Sequence, residues 1–327
     1  MQVERRVLAL ISVLIALQVS KASGQPLPSG RAQSAVCVYS GPATNLPLVG
    51  PIGNQSLDWT ALSSPVYIHI IGCGGGGGGA GAGKAPQDGY GVSGGGGAGA
   101  DVRTYTYGPI AASTVLKVTF SAENGAGGCG GGRDASECAQ IPPGHRVYPD
   151  PGGPGADGMT VKIGSFTFEG GEGARAMDNG SGRSLGGRKA YAGGDGAAMN
   201  IGDAESGKDY KNKHKGGTPG PSGNGPGGQG GLRGSGGGAS PAGDGGRGGR
   251  AGSGNGHSDG AANNAKAGEN GGICAGGGGG GAAAGGQFPG GNGGDGGPAW
   301  VVIYASSTLS PITKPELETL GQVCGNP

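Results

Sequence analysis

Two short stretches carry residue types that bind ligands elsewhere. "GGAGAGKA", Gly78–Ala85, follows an apolar run and nearly spells a phosphate loop, in which backbone N–H groups cradle phosphates and a Ser/Thr holds magnesium. Lys84 is in place, but Ala85 stands where the hydroxyl belongs and Pro86 follows instead of a helix. "GGNGGD", Gly290–Asp295, matches the start of a calcium-binding nonapeptide. Gly297 occupies the apolar position that should pack a β-roll, and no tandem copy occurs. The histidines are His69, in an apolar run, and His145, His214 and His257, in polar segments. None stands in a nucleophile-and-base arrangement that the sequence singles out. The expectation is a protein that is not an enzyme, with no metal and no cofactor.

Cysteine chemistry depends on compartment. Arg5-Arg6 precede the apolar run Val7–Val19 and the small residues Ala22 and Gly24. The run is too short to span a bilayer, so the segment reads as a secretory signal peptide cleaved after Gly24. With no other long apolar run, the expectation is a secreted or cell-surface protein without a transmembrane segment. The six cysteines are Cys37, Cys73, Cys129, Cys138, Cys274 and Cys324, with no CxxC pair. Disulfides are therefore expected rather than a metal site. Proximity favours Cys129–Cys138. Symmetric placement suggests Cys73–Cys274, beside two glycine runs, and Cys37–Cys324, near the mature ends.

Of 327 residues, 87 are Gly and 22 are Pro, and only 33% are hydrophobic, too few for an ordinary core of that length. Disorder would call for high net charge as well, but Lys+Arg 23 against Asp+Glu 22 leaves +1. The same balance gives no overall attraction to nucleic acid or to an anionic membrane.

Strands are expected near 66–71, 102–107, 115–121, 160–168 and 300–304, where β-branched and aromatic residues gather. A short helix is expected in the tail, with Thr313 as its N-cap. Between the strands, Gly225, Gly228, Gly231, Gly234 and Gly237 recur every third residue, as do Gly243, Gly246, Gly249 and Gly252, and Gly290, Gly293 and Gly296. Period three is that of a polyproline II helix, and the broken frame excludes collagen. Six consecutive glycines follow Cys73, and six more run from Gly276 to Gly281. A polyproline II helix has no internal hydrogen bonds, so a buried one must exchange them with neighbours, and a glycine face lets those backbones approach. Ordering such a chain costs about 1–2 kcal/mol per residue, which disulfides worth about 2–4 kcal/mol each offset in part.

The expected fold is mostly β and irregular, with little α-helix: a small antiparallel β framework joined to a disulfide-stapled bundle of glycine-rich polyproline II helices. The expected organisation is a signal peptide (1–24), a Pro-rich lead-in (25–56), the glycine-rich domain (57–305) and a tail (306–327). The arrangement "VYIHIIGCGGGGGG", "GGAGADVRTYTYG", a strand pair and a closing "GGDGGPAWVVIY" resembles the glycine-rich domain family of polyproline II bundles. Phage tail-fibre-tip adhesins and bacterial glycine-rich domain proteins belong to it. The snow flea antifreeze protein is similar in style, as is the glycine-rich domain of the anaplastic lymphoma kinase ectodomain. The resemblance implies, respectively, binding of bacterial surface receptors, of ice, or of protein ligands.

Segments between the tracts supply the candidate binding residues, since loops on a rigid scaffold carry recognition and Tyr and Arg are favoured contacts. They are Tyr90 in "KAPQDGYGVS", His145, Arg146 and Tyr148 in "CAQIPPGHRVYPDP", and Tyr210, Lys211, Lys213 and Lys215 in "KDYKNKHK". The expected function is a secreted, non-enzymatic adhesion or receptor-binding module whose partner is a cell-surface receptor or glycan. An ice-binder is the alternative, provided Arg233, Arg247, Arg250 and Asp244 point away from a flat face. An extracellular matrix protein is the third. A packed bundle should give a polyproline II circular dichroism spectrum that melts cooperatively; a featureless, gradual melt would show that the tracts are linkers.

Overall fold

The computed structural model describes residues 35–40, 44–46, 55–58, 66–84, 92–111, 114–121, 125–131, 152–176, 184–197, 203–211, 213–221, 233–252, 265–282 and 289–306. Among them there is no helix. The strands are β1 (Ala35–Ser40), β2 (Thr44–Leu46), β3 (Gln55–Asp58), β4 (Val66–Cys73), β5 (Arg103–Ile110), β6 (Val115–Phe120), β7 (Val161–Ile163), β8 (Phe166–Phe168) and β9 (Trp300–Ser306). One sheet runs β2-β1-β9-β4-β5 and the other β3-β6-β7-β8. Neighbouring strands are antiparallel except for the parallel pair β1–β9.

All five expected strand regions are present. Strands β1, β2 and β3 were not expected, because prolines punctuate the sequence around them. They join both sheets, so the expected boundary between lead-in and domain at residue 57 runs through β3. The segment expected to form the tail helix lies outside the described residues, as does the signal peptide.

Alternation along the strands builds the apolar core. Val66, Ile68 and Ile70 of β4 and Val301 and Ile303 of β9 pack with Leu116 and Val118 of β6, Val161 and Ile163 of β7, and Phe168 of β8. Tyr105 closes one side, its ring 4.8 Å from Phe166 and 5.4 Å from Phe168, and its hydroxyl donates to the Thr167 carbonyl at 3.3 Å. Ile71, Val302 and His69, outside that cluster, are buried too.

The strands lead straight into the glycine tracts, and the hydrogen bonds of tract 74–84 show how these pack. Gly75, Gly78 and Gly81 donate to Met159, Ala156 and Gly153. Gly76, Gly79 and Ala82 donate to Gly297, Gly294 and Gly291, and Gly77, Ala80 and Gly83 to Ala98, Gly95 and Val92. Each set of every-third residues thus serves one antiparallel neighbour, which is threefold polyproline II geometry. Carbonyls of the same tract accept from three parallel neighbours: Gly75 and Gly78 from Gly171 and Ala174, Gly77 and Ala80 from Gly277 and Gly280, and Gly79 and Ala82 from Gly128 and Gly131. The tract is therefore enclosed hexagonally by six others, alternately acceptors and donors.

Tract 275–282 repeats the pattern. It donates to tracts 233–239, 74–84 and 265–271 and accepts from tracts 92–100, 244–252 and 289–298. Tracts 92–100 and 233–239 are also enclosed. Around these four, tracts 125–131, 152–160, 169–176, 184–188, 191–197, 203–209, 215–221, 244–252, 265–271 and 289–298 follow one another in a closed ring of hydrogen-bonded neighbours.

Tract position accounts for glycine usage. A Cβ on Gly78 would lie 2.0 Å from the Ala126 carbonyl oxygen, and one on Gly278 would lie 2.1 Å from that of Arg247. Enclosed tracts have such contacts on all three faces, so the six-glycine runs fall there. Ring tracts have an open face that carries a side chain every third residue, as in Asp244, Arg247 and Arg250, or Lys215, Thr218 and Pro221, all exposed. Cys73 and Cys274, 201 residues apart, are disulfide-bonded where the two six-glycine tracts begin, packed with Ala100, Val102 and Trp300. Closing so long a loop is worth on the order of 5 kcal/mol in the chain-entropy model.

Gly78→Ala and Gly278→Ala should each lower stability by roughly 3 kcal/mol or more, because backbone rather than a movable side chain must yield. Thr218→Ala, on an open face, should stay close to neutral. Chemical denaturation of the three variants measures the difference.

Candidate functional site

Register sorts the tract ends into two groups. The turns 189–190, 210–214, 240–243 and 272–274 lie at the end of the bundle adjoining the sheets. Tract ends Lys84 and Val92, Gly131 and Gly152, Pro221 and Arg233, and Ala282 and Pro289 lie at the opposite end, as the bonds Gly83 N to Val92 O, Gly131 N to Ala82 O and Gly290 N to Gly131 O require. Of the candidate binding residues, Tyr90, His145, Arg146 and Tyr148 lie outside the described residues. Tyr210, Lys211, Lys213 and Lys215 belong to a sheet-side turn. The pairings Cys129–Cys138 and Cys37–Cys324 also lie outside the described residues, although Cys129 is itself disulfide-bonded.

The Tyr210 turn is tightly built. Tyr210 N donates to the His214 carbonyl at 2.9 Å, and Lys213 N to the Tyr210 carbonyl at 2.9 Å, with Lys211 at positive φ between them. The Tyr210 ring meets Tyr191 edge to face at 5.3 Å, and the Lys211 ammonium lies 5.6 Å from its centroid. Tyr191 is held by bonds to both sides of Gly99, and its hydroxyl reaches Asp101 Oδ1 at 3.4 Å. Beside it, Lys189 pairs with Glu169 at 3.1 Å.

Much of the basic charge in this turn is answered locally. Lys215 Nζ is 3.6 Å from Asp209, His214 Nδ1 is 3.3 Å from Asp244, and Asp244 Oδ1 also accepts from Lys215 N at 2.7 Å. Beside its aromatic pair the turn places the Lys211 ammonium and the Asp101 carboxylate. Neighbouring apolar and polar groups of this kind suit a sugar ring or a peptide side chain. Tyr191 and Asp101 were not singled out by sequence, because they sit in different tracts: the register at Gly99 brings them together, and the bond from Lys208 N to the Ala192 carbonyl brings Tyr191 to Tyr210.

The two motif-like stretches have structural roles. In Gly78–Gly83 every N–H is spent on a neighbouring tract, so none is free to cradle a phosphate. In Gly290–Asp295 the side-chain oxygens substitute for missing backbone acceptors: Asn292 Oδ1 takes the Gly130 N–H at 2.9 Å, and Asp295 Oδ1 takes that of Gly127 at 2.8 Å. Asp157, Asp195 and Asp209 do the same for Gly173, Gly186 and Gly216. His69 is buried with Nδ1 3.2 Å from Thr106 Oγ1, and burial lowers its pKa. Among the described residues no group of three or more His, Cys, Asp or Glu is placed to hold a metal. No helix among them is long and apolar enough to cross a membrane. No protein-family model matches the chain, and no curated protein matches it.

Desolvation, then the charge of Asp101, push the Tyr191 hydroxyl up to about 12 from the usual 10.0. The folded state therefore holds this proton more tightly than the unfolded chain does. That stabilisation is complete below pH 10.0 and is lost as pH rises towards 12. Ultraviolet titration should show a phenolate step near pH 12 that is absent in Tyr191→Phe, and the variant should lose less stability over the same interval.

Proposed function

We propose that the protein is a secreted, non-enzymatic binding module that recognises a cell-surface receptor or glycan through side chains displayed on a rigid polyproline II bundle. The observation that carries this reading is the Tyr210 turn, where an aromatic pair, Lys211 and Asp101 stand together on backbone fixed by hydrogen bonds. Pre-organised display of this kind spares a ligand the cost of ordering a loop. The bundle interior, filled with backbone, leaves recognition to turns and open faces. Ice binding is not favoured: Asp244, Arg247 and Arg250 all emerge on the open face of one tract, where a flat surface of small residues would be needed.

The test is a receptor and glycan screen of the mature protein with Tyr210→Ala and Lys211→Ala variants, each checked by thermal melting. Loss of a tyrosine anchor should weaken binding about tenfold or more, and loss of Lys211 somewhat less. Lys215→Ala should have little effect, because that ammonium already faces Asp209. Binding untouched by Tyr210→Ala in a folded protein would remove the turn from the reading, and thermal hysteresis would replace it with ice binding.

A further inference from the structure

The open edge of tract 244–252 differs in chemistry from the Tyr210 turn. We propose that this edge, through Arg247, Arg250 and the neighbouring Lys266, binds a linear anionic polysaccharide. Gly245, Gly248 and Ala251 donate to tract 215–221, and Gly246, Gly249 and Gly252 to tract 275–282. The third set of N–H groups, which includes Arg247 and Arg250, therefore turns to the open side. Among the described residues nothing accepts from these two, so each exposed arginine offers a backbone N–H beside its guanidinium.

Three residues of polyproline II separate the arginines by about 9 Å along a straight line, a spacing comparable with the repeat of alternate sugars in an extended chain. Lys266 N donates to the Arg250 carbonyl at 3.0 Å, and Glu269 N to that of Arg247 at 2.8 Å. Lys266 thus stands beside Arg250 on the adjacent tract, and Glu269 stands beside Arg247. Asp244, next on the same stripe, is engaged with His214 and Lys215 N. Arginine suits carboxylate and sulfate alike through its planar fork. The residues between the arginines are Gly248 and Gly249, which give a smooth floor but no aromatic platform. Single-stranded nucleic acid, which relies on such platforms, is a poorer match.

The mature, disulfide-intact protein is tested on immobilised heparin, on polygalacturonate, on uncharged dextran and on a DNA single strand. The wild type should be retained by a polyanionic sugar at low salt and not by dextran, and the heparin-to-polygalacturonate ratio separates sulfate from carboxylate recognition. Arg247→Gln/Arg250→Gln/Lys266→Gln, all at exposed positions, should lose at least tenfold in affinity. Its log–log salt slope should be shallower by roughly two to three, one for each cation removed, by analogy with polyelectrolyte release at phosphates. Tyr210→Ala should bind these polymers as the wild type does, which separates this site from the turn. Unchanged affinity and slope in the triple variant, no retention of the wild type by either polyanionic sugar, or tighter binding to DNA would each overturn the proposal.

Discussion

The interaction on which the whole structure depends is the hydrogen bond between the backbones of adjacent polyproline II tracts. A strand finds partners on two sides and an α-helix finds them within itself, but a polyproline II segment has none of its own. Once buried, each N–H and C=O must be met by another chain. With three residues per turn, the N–H groups fan out in three directions and the carbonyls in three more. The packing that satisfies all six is hexagonal. Tracts 74–84 and 275–282 are its clearest cases, with Gly77 donating to Ala98 while its carbonyl accepts from Gly277.

Glycine follows from that geometry, and so does its distribution. Backbones close enough to hydrogen-bond on every side leave no volume for most Cβ atoms. Only certain positions escape, among them Ala80, Ala82 and Ser235, all fully buried. Ser235 uses its place to donate to the Gly94 carbonyl at 3.0 Å. At the rim the missing neighbour creates the opposite problem, a donor without an acceptor. Asn292, Asp295, Asp157 and Asp195 answer it with side-chain oxygens. A glycine-rich sequence that resembles a ligand motif can therefore be a record of which faces are enclosed.

The bundle has little apolar surface with which to offset its ordering entropy. The two sheets supply what it lacks, an aliphatic and aromatic core built on β4, β6, β7 and β9. Strand β4 runs directly into one enclosed tract, and Cys73 at their junction is tied to Cys274 at the start of the other. The disulfide and the sheets thus hold the sheet-side end in register, and that end carries the short turns at Ala190, Lys211 and Cys274.

Much of the architecture was legible from local pattern. The β-branched runs marked five strand regions, the glycine period marked polyproline II, and the cysteines beside the six-glycine runs marked a pair. Strands β1 to β3 escaped notice because they lie in a proline-punctuated segment and their partners, β9 for β1 and β6 for β3, are far off in the chain. The candidate site was legible only as a tyrosine in a basic segment. Asp209, Asp244, Tyr191 and Asp101, which temper or complete it, come from other tracts. By itself the sequence determined the kind of helix and the positions where no Cβ could be accepted, since both depend on residue type and a period of three. Only the tertiary structure decided which tracts are enclosed, which arginines and tyrosines face outward, and which residues meet at each end. Those outcomes depend on hydrogen bonds between tracts far apart in the chain, and a glycine carries no side chain to specify its partner.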